Sequence, residues 1–330
     1  MPLRNQVALL TWPAIYMEHY TPAREAVRDE GLGGVLLMNV RGTEASLKTR
    51  LKELKTLSPY GLVVATDEEG GDVQRLRNLR PLPSQQTVST TMTTSGAYSL
   101  ILDQGKYMRS LGINMVLGPV VDVLPKQGEP PLATSRFFAG DPSTVGAYAD
   151  AYVKAWHDAG LGTVLKHFPG HGSATADTHQ GSSTTPPLSV LESRDLIPYQ
   201  MLEGSGADVM VGHLIVPDLT NGVPATRSPE AVSYLRQTLG YSDALVVSDA
   251  LDMGAVGLPP GEAAVDAIAA GIDVVLLADV DGEGAVNEVG GVIDAIVNAV
   301  QSGELPAARV NEAANRVLAF LAKHGGHCPT

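Results

Sequence analysis

The sequence predicts an α/β fold, a single (β/α)8 TIM-type barrel across residues 1–330 with its active site at the C-terminal ends of the strands. Three observations predict it. Short runs rich in Val, Leu and Ile recur eight times, at residues 7–11, 34–39, 62–67, 113–117, 163–167, 209–213, 245–249 and 274–279. They lack strict alternation, as parallel strands buried on both faces require. Helical patterns with recognisable start and stop residues fill the gaps between them. Finally, Asp67, Lys166, His167, His213 and Asp249 stand at the ends of different runs, and a barrel gathers those ends on one face.

Taken in order, the 7–11 run reads as the first strand, and the residues before it show no signal-peptide pattern. Thr21-Pro22 has the N-cap and N1 residue types for a helix closing at Gly31. After the third strand comes an acidic, glycine-paired stretch, Asp67-Glu-Glu-Gly-Gly-Asp-Val-Gln-Arg75. Asp141-Pro142 opens a helix ending at Gly160, Ser228-Pro229 one ending at Gly240, and residues 261–270 one ending at Gly271. Residues 291–300 and 307–323 read as closing helices. An open doubly wound sheet is the competing fold, but no Gly-x-Gly-x-x-Gly follows an early strand.

Composition narrows the function. The net charge of −13 argues against nucleic acid, whose phosphates need clustered Lys and Arg. One cysteine, Cys328, excludes an internal disulfide framework and a cysteine-rich metal site. No apolar run is long enough to span a membrane. A cytoplasmic monomer is the expectation, with export the alternative if a leader has been removed. Neither a Gly-x-Ser-x-Gly elbow nor a phosphate loop is present, which weakens esterase and nucleotide-hydrolase readings.

The densest chemistry lies in Lys166-His-Phe-Pro-Gly-His-Gly172 followed by Ala176-Asp-Thr-His179. His167, His171 and His179 invite a zinc reading, but Pro169 and Gly170 break the helical turn that presents such a pair, so neither a metal nor a cofactor is expected. Asp177, two residues before His179, reads either as a solvated turn or as the carboxylate of an acid/base dyad. Asp249 reads either as a helix cap or as a nucleophile. Asp67 with Arg75 reads either as an acidic surface turn or as a paired clamp for a polyhydroxylated ligand.

Together these segments resemble glycoside hydrolase family 3, in its compact β-N-acetylglucosaminidase branch. Lys166 to Gly172 with Asp177-Thr-His179 carries most of the likeness. Asp67-Glu-Glu-Gly-Gly71, Val73-Gln-Arg75, Pro119-Val-Val-Asp122, Ser135-Arg-Phe137, Met210-Val-Gly-His213 and Val247-Ser-Asp-Ala-Leu251 support it. The resemblance implies a retaining enzyme that removes non-reducing terminal N-acetylglucosamine, with peptidoglycan fragments as substrate. It implies Asp249 as nucleophile and His179, oriented by Asp177, as acid and base. Asp67, Arg75, Arg136, Lys166 and His167 would hold the sugar, and Met210 and His213 would line the same pocket. The Pro/Gly/Ser-rich setting of the dyad implies a loop that closes to deliver the acid. Asp72 and Ala250 depart from the residues usual at their positions. Phosphorolysis of the same sugar, a β-glucosidase, a metal-dependent hydrolase and a non-catalytic sugar-binding barrel are the competing readings.

Overall fold

The computed structural model describes residues 1–126, 128–278 and 285–325. Its eight-stranded parallel sheet closes into a barrel in chain order. The strands are β1 (Thr11–Tyr16), β2 (Gly34–Met38), β3 (Val63–Thr66), β4 (Met115–Val116), β5 (Gly162–Phe168), β6 (Asp208–Val211), β7 (Val246–Ala250) and β8 (Val274–Leu277). β1 completes the ring, setting Ala14 against Leu36 of β2 and Thr11 against Val275 of β8. Helices surround the barrel, so both faces of the sheet are covered; β5 is buried along its whole length. That double burial is why the strand sequences read as unbroken apolar runs.

The first strand is a correction. Residues 7–10 form the end of a helix, Leu3–Leu10, and the strand begins only at Thr11. Val7, Ala8, Leu9 and Leu10 are all fully buried, and a helix end buried on every side gives the same apolar run as a strand buried on both faces. The true strand holds Pro13, a residue that counts against a strand when only sequence is read. The helix end is capped by the strand that follows it. Thr11 Oγ1 donates to the Val7 carbonyl at 3.1 Å and Trp12 Nε1 to that of Leu9 at 2.8 Å, satisfying carbonyls that a helix terminus leaves free.

The start signals behave unevenly. Asp141 caps the helix Pro142–Asp158 by accepting from Thr144 N at 2.8 Å. Ser228 caps Pro229–Ser233, which continues as a π-helical turn over Tyr234–Thr238. The Thr21-Pro22 signal is two residues late, because that helix starts at Tyr20, after His19, without a side-chain cap. The closing helices are Ala285–Ser302 and Ala307–His324. Asp279, the expected end of the last strand, and Cys328 lie outside the described residues. Among the described residues no helix is long and apolar enough to cross a membrane.

Two small additions above the strand ends shape the site. An antiparallel hairpin of Glu68–Gly70 and Val73–Gln74 follows β3, and a two-stranded ribbon joins Ser183–Thr184 to Leu214–Ile215. The hairpin turns on Gly70 and Gly71, with φ of 89° and 58°. A Cβ on Gly70 would come within 2.1 Å of the Pro83 carbonyl oxygen, so only glycine fits the turn that brings Arg75 back over the barrel.

Candidate active site

A cavity of about 410 Å³ opens at the C-terminal ends of the strands. Of the ten side chains singled out in the sequence, Asp67, Arg75, Arg136, Lys166, His167, His179, Met210 and Asp249 line it. Asp177 and His213 do not; each stands behind a lining residue. Tyr16, Asn39 and Met253 complete much of the remaining wall.

The floor is a lattice of alternating charges. Lys166 Nζ lies 2.8 Å from Asp67 Oδ1 and 2.7 Å from Glu69 Oε1. Arg75 Nη2 donates to Asp67 Oδ2 at 2.7 Å, and Arg136 grips Glu69 through two bonds of 2.8 Å. These chains come from β5 and from the loops after β3 and β4. Lys166 and Glu69 are only 2% and 1% exposed in their side chains, so each buried charge stands because its partners offset the loss of water. Burial alone would raise the Asp67 carboxyl, but Lys166 and Arg75 outweigh it and hold it well below the usual carboxylate range. Glu69 is likewise pulled below its ordinary value by Arg136 and Lys166 against burial, and Lys166 is kept cationic by Asp67 and Glu69. A fixed carboxylate beside fixed cationic donors is the arrangement that pairs with the hydroxyls of a sugar.

His167 is oriented from behind. Its Nδ1 is 2.7 Å from Asp122 Oδ2, and its backbone N donates to Asp122 Oδ1 at 3.2 Å. With Nδ1 on the carboxylate, Nε2 faces Arg136 Nη2 at 3.4 Å, at the cavity wall.

Asp249 ends β7 and accepts from Ala250 N at 2.9 Å. Burial works to raise its carboxyl, but His167, His213 and the Ala250 N–H prevail and hold it below the ordinary value. It therefore stands ionised, the form in which a carboxylate can attack carbon. His213, expected to line the cavity, is fully buried instead. β6 stops at Val211, two residues short of the predicted end, and the chain turns His213 under β7. Its Nε2 donates to the Ala250 carbonyl at 2.7 Å and its Nδ1 meets Thr226 Oγ1 at 2.9 Å. Burial lowers its pKa, so a neutral His213 braces the backbone that carries Asp249.

His179 reaches the cavity from a loop rather than a strand. Its Nδ1 is 2.6 Å from Asp177 Oδ1, which also accepts from the His179 backbone N at 3.0 Å. The carboxylate fixes the tautomer, leaving Nε2 as the exchanging nitrogen. The His179 side chain is 53% exposed, in contrast to the buried floor. The loop runs alongside the segment after β7, where a Cβ on Gly254 would lie 3.6 Å from the His179 carbonyl oxygen.

Sequence reading missed Glu69, Asp122 and His171 as individual contributors. Glu69 sits beside Asp67 in the acidic stretch, but which of three adjacent acids faces Lys166 depends on the hairpin. Asp122 follows an apolar run with the same pattern as the other strand-end acids, and that signal could have found it. Tyr16 was hidden with the misplaced first strand. Among the described residues no group of three or more His, Cys, Asp or Glu side chains is set to hold a metal ion.

The sequence model of the "Glycosyl hydrolase family 3 N terminal domain" matches residues 3–320. The chain is 38% identical over 318 residues to the beta-hexosaminidase LpqI of Mycobacterium tuberculosis, covering 92% of this chain and 79% of that protein. It is 33% identical over 267 residues to a beta-hexosaminidase of Stenotrophomonas maltophilia, covering 77% and 78% respectively. Among solved structures, a family 3 glycosyl hydrolase from Mycobacterium smegmatis superposes with a TM-score of 0.89 at 36% identity, covering 97% of both chains. A family 3 beta-N-acetylglucosaminidase from a Paenibacillus species gives 0.91 at 28% identity, over 98% of this chain and 63% of that one.

Proposed function

The chain belongs to glycosyl hydrolase family 3 and is a glycoside hydrolase, and on that premise we propose that it is a retaining exo-β-N-acetylglucosaminidase. Its substrates carry β-linked N-acetylglucosamine at the non-reducing end, with peptidoglycan fragments as the natural source. The relatives' names support the sugar. The observation that carries the mechanism is an ionised Asp249 sharing one cavity with His179, whose other nitrogen is 2.6 Å from Asp177.

In the first step an Asp249 oxygen attacks the anomeric carbon and the glycosidic C–O bond breaks. The leaving oxygen takes the electron pair and receives a proton from His179 Nε2. In the second, water attacks the same carbon and gives a proton to His179, and the Asp249–sugar bond breaks. Two inversions return the β configuration. Asp67, Arg75, Arg136, Lys166 and His167 hold the sugar hydroxyls, Met210 supplies an apolar wall, and His213 steadies the nucleophile's backbone. We read the chain, residues 1–330, as a single barrel acting as a monomer.

A His in place of a carboxylate acid supports one neighbouring reading. An anionic base would repel phosphate, whereas a neutral imidazole would not, so phosphorolysis is the second candidate. Hydrolysis of 4-nitrophenyl β-N-acetylglucosaminide, run with and without phosphate for the wild type, Asp249→Ala and His179→Ala, tests both. Loss of activity in Asp249→Ala and rescue of His179→Ala by azide or a better leaving group are expected. N-acetylglucosamine 1-phosphate appearing only in phosphate would move the assignment to a phosphorylase. Full activity without Asp249 would overturn the mechanism.

A further inference from the structure

We infer that His171 is a positioning residue for proton transfer, holding the Asp177–His179 pair over the cavity through the buried hydroxyl of Thr178. The inference rests on the acid/base role proposed above for His179.

The loop that carries the dyad is held unevenly along its length. Its stem has several ties. Ser173 Oγ donates to Asp195 at 2.9 Å and accepts from Arg194, Thr175 N donates to the Thr184 carbonyl at 2.9 Å, and Ala176 N donates to Ser183 Oγ at 3.1 Å. At the tip the bonds are mostly internal, from His179 and Gln180 back to Asp177. Among the described residues, the tip's side-chain hydrogen bond beyond itself is the one between Thr178 Oγ1 and His171 Nε2, at 3.0 Å, to the short turn His171–Ser173 at the foot of the loop.

Burial says the same. Thr178 is 1% exposed, although Asp177 and His179 on either side are 29% and 53% exposed in their side chains. A buried residue between two more exposed ones is an anchor, and here it is anchored on a group fixed from three directions. His171 is 1% exposed, its backbone N donates to Asp122 Oδ1 at 2.6 Å, and its ring stands edge-on to His167 at 5.7 Å. Asp122 thereby sets both the sugar-facing His167 and the His171 that holds the acid.

His171 Nδ1 is buried without a partner, so the ring's bond outward is the one from Nε2 to Thr178 Oγ1. A hydroxyl both donates and accepts, so this bond ties the tip to the ring in either tautomer. Burial, reinforced by His167, lowers the ring's pKa, so His171 stays neutral and does not add a charge beside the acid.

Proton transfer needs His179 within about 2.6–3.2 Å of the leaving oxygen, and a misplacement of about 1 Å costs on the order of a hundredfold. A loosened tip should therefore act as a partial loss of the acid, and it should do so selectively. The test measures kcat/KM, which reports sugar transfer to Asp249 alone, on 4-methoxyphenyl and 2,4-dinitrophenyl β-N-acetylglucosaminides. Thr178→Val and His171→Ala should each lose about 10–100-fold on the first, which needs protonation, and less than about threefold on the second, which does not. Thr178→Ser, which keeps the hydroxyl, should restore the wild-type ratio, and the double variant should be no worse than either single one. Equal losses on both substrates would mean a general structural role and overturn the inference, as would no loss on either. His179→Ala is the control: if it shows no dependence on leaving group, the acid assignment itself fails and takes this inference with it.

Discussion

Removing one charge from the floor of the cavity gives a quantitative test of how that lattice is held. Glu69→Gln keeps the shape but leaves Lys166 and Arg136 sharing one carboxylate fewer. Glu69 and Lys166 are 1% and 2% exposed, at 2.7 Å, so solvent screening gives no relief. Breaking such a buried pair costs about 3–5 kcal/mol. With an unfolding entropy of about 2.1 cal/mol/K per residue, a chain of 330 residues loses roughly 4–7 °C in Tm. Asp72→Asn is the internal control. Its pair with Arg77 spans 3.4 Å between side chains 74% and 51% exposed, worth less than about 1 kcal/mol, so Tm should move by less than about 1.5 °C. The acid dependence has a definite sign. Glu69 is held below its ordinary pKa by Arg136 and Lys166 despite burial, so its contribution is present above the ordinary glutamate range and lost as pH falls through the lowered value. Calorimetry should therefore show the wild-type advantage at neutral pH shrinking in acid. Combining Glu69→Gln with Lys166→Met should recover part of the loss, because the unpaired ammonium goes with it. An unchanged Tm for Glu69→Gln at pH 7 would refute the reasoning.

Three further outcomes follow from the same geometry. His213→Ala removes the brace on the Ala250 carbonyl, so kcat should fall by about tenfold or more with KM little changed; steady-state kinetics on the nitrophenyl substrate decides it. Gly172→Ala would drive a Cβ to within 2.0 Å of the Val123 carbonyl oxygen, a backbone contact that cannot yield, and should cost both stability and activity in a thermal melt and a rate assay. Glu68 is buried and its carboxyl is pushed up to about 7 by that burial. The folded chain thus binds this proton more tightly than the unfolded one, and stability from this group is lost as pH rises from the ordinary glutamate range through about 7. Glu68→Gln should flatten that stretch of the Tm–pH curve, and an identical slope in both proteins would count against it.

Much of the fold was legible because the strands are buried on both faces and seven of the eight write themselves as apolar runs. The first was not, since a helix end buried all round writes the same run and Pro13 conceals the true strand. Asp249 and Lys166 were legible for a geometric reason: a barrel fixes where strand ends point. The Asp177–His179 pairing was legible because two residues of separation is within reach of a local hydrogen bond. Contacts made across the fold were not. That Glu69 rather than Glu68 meets Lys166, that Asp122 sits behind His167, and that His213 turns under β7 all depend on hairpin register and on where β6 stops. A loop's buried middle residue, such as Thr178, carries no periodic signal at all.

The closure of the ring by β1 and β8 has a consequence for the timing of synthesis. Thr11 meets Val275, its partner about 260 residues later in the chain. At about 5–20 residues per second on the ribosome, that partner arrives roughly 13–50 s after Thr11 has been made. Until then β1 has an open edge toward the missing strand, and Tyr16 has no completed wall to join. The nascent chain therefore carries an unpaired strand edge for most of its own manufacture, the interval in which such an edge is open to mispairing.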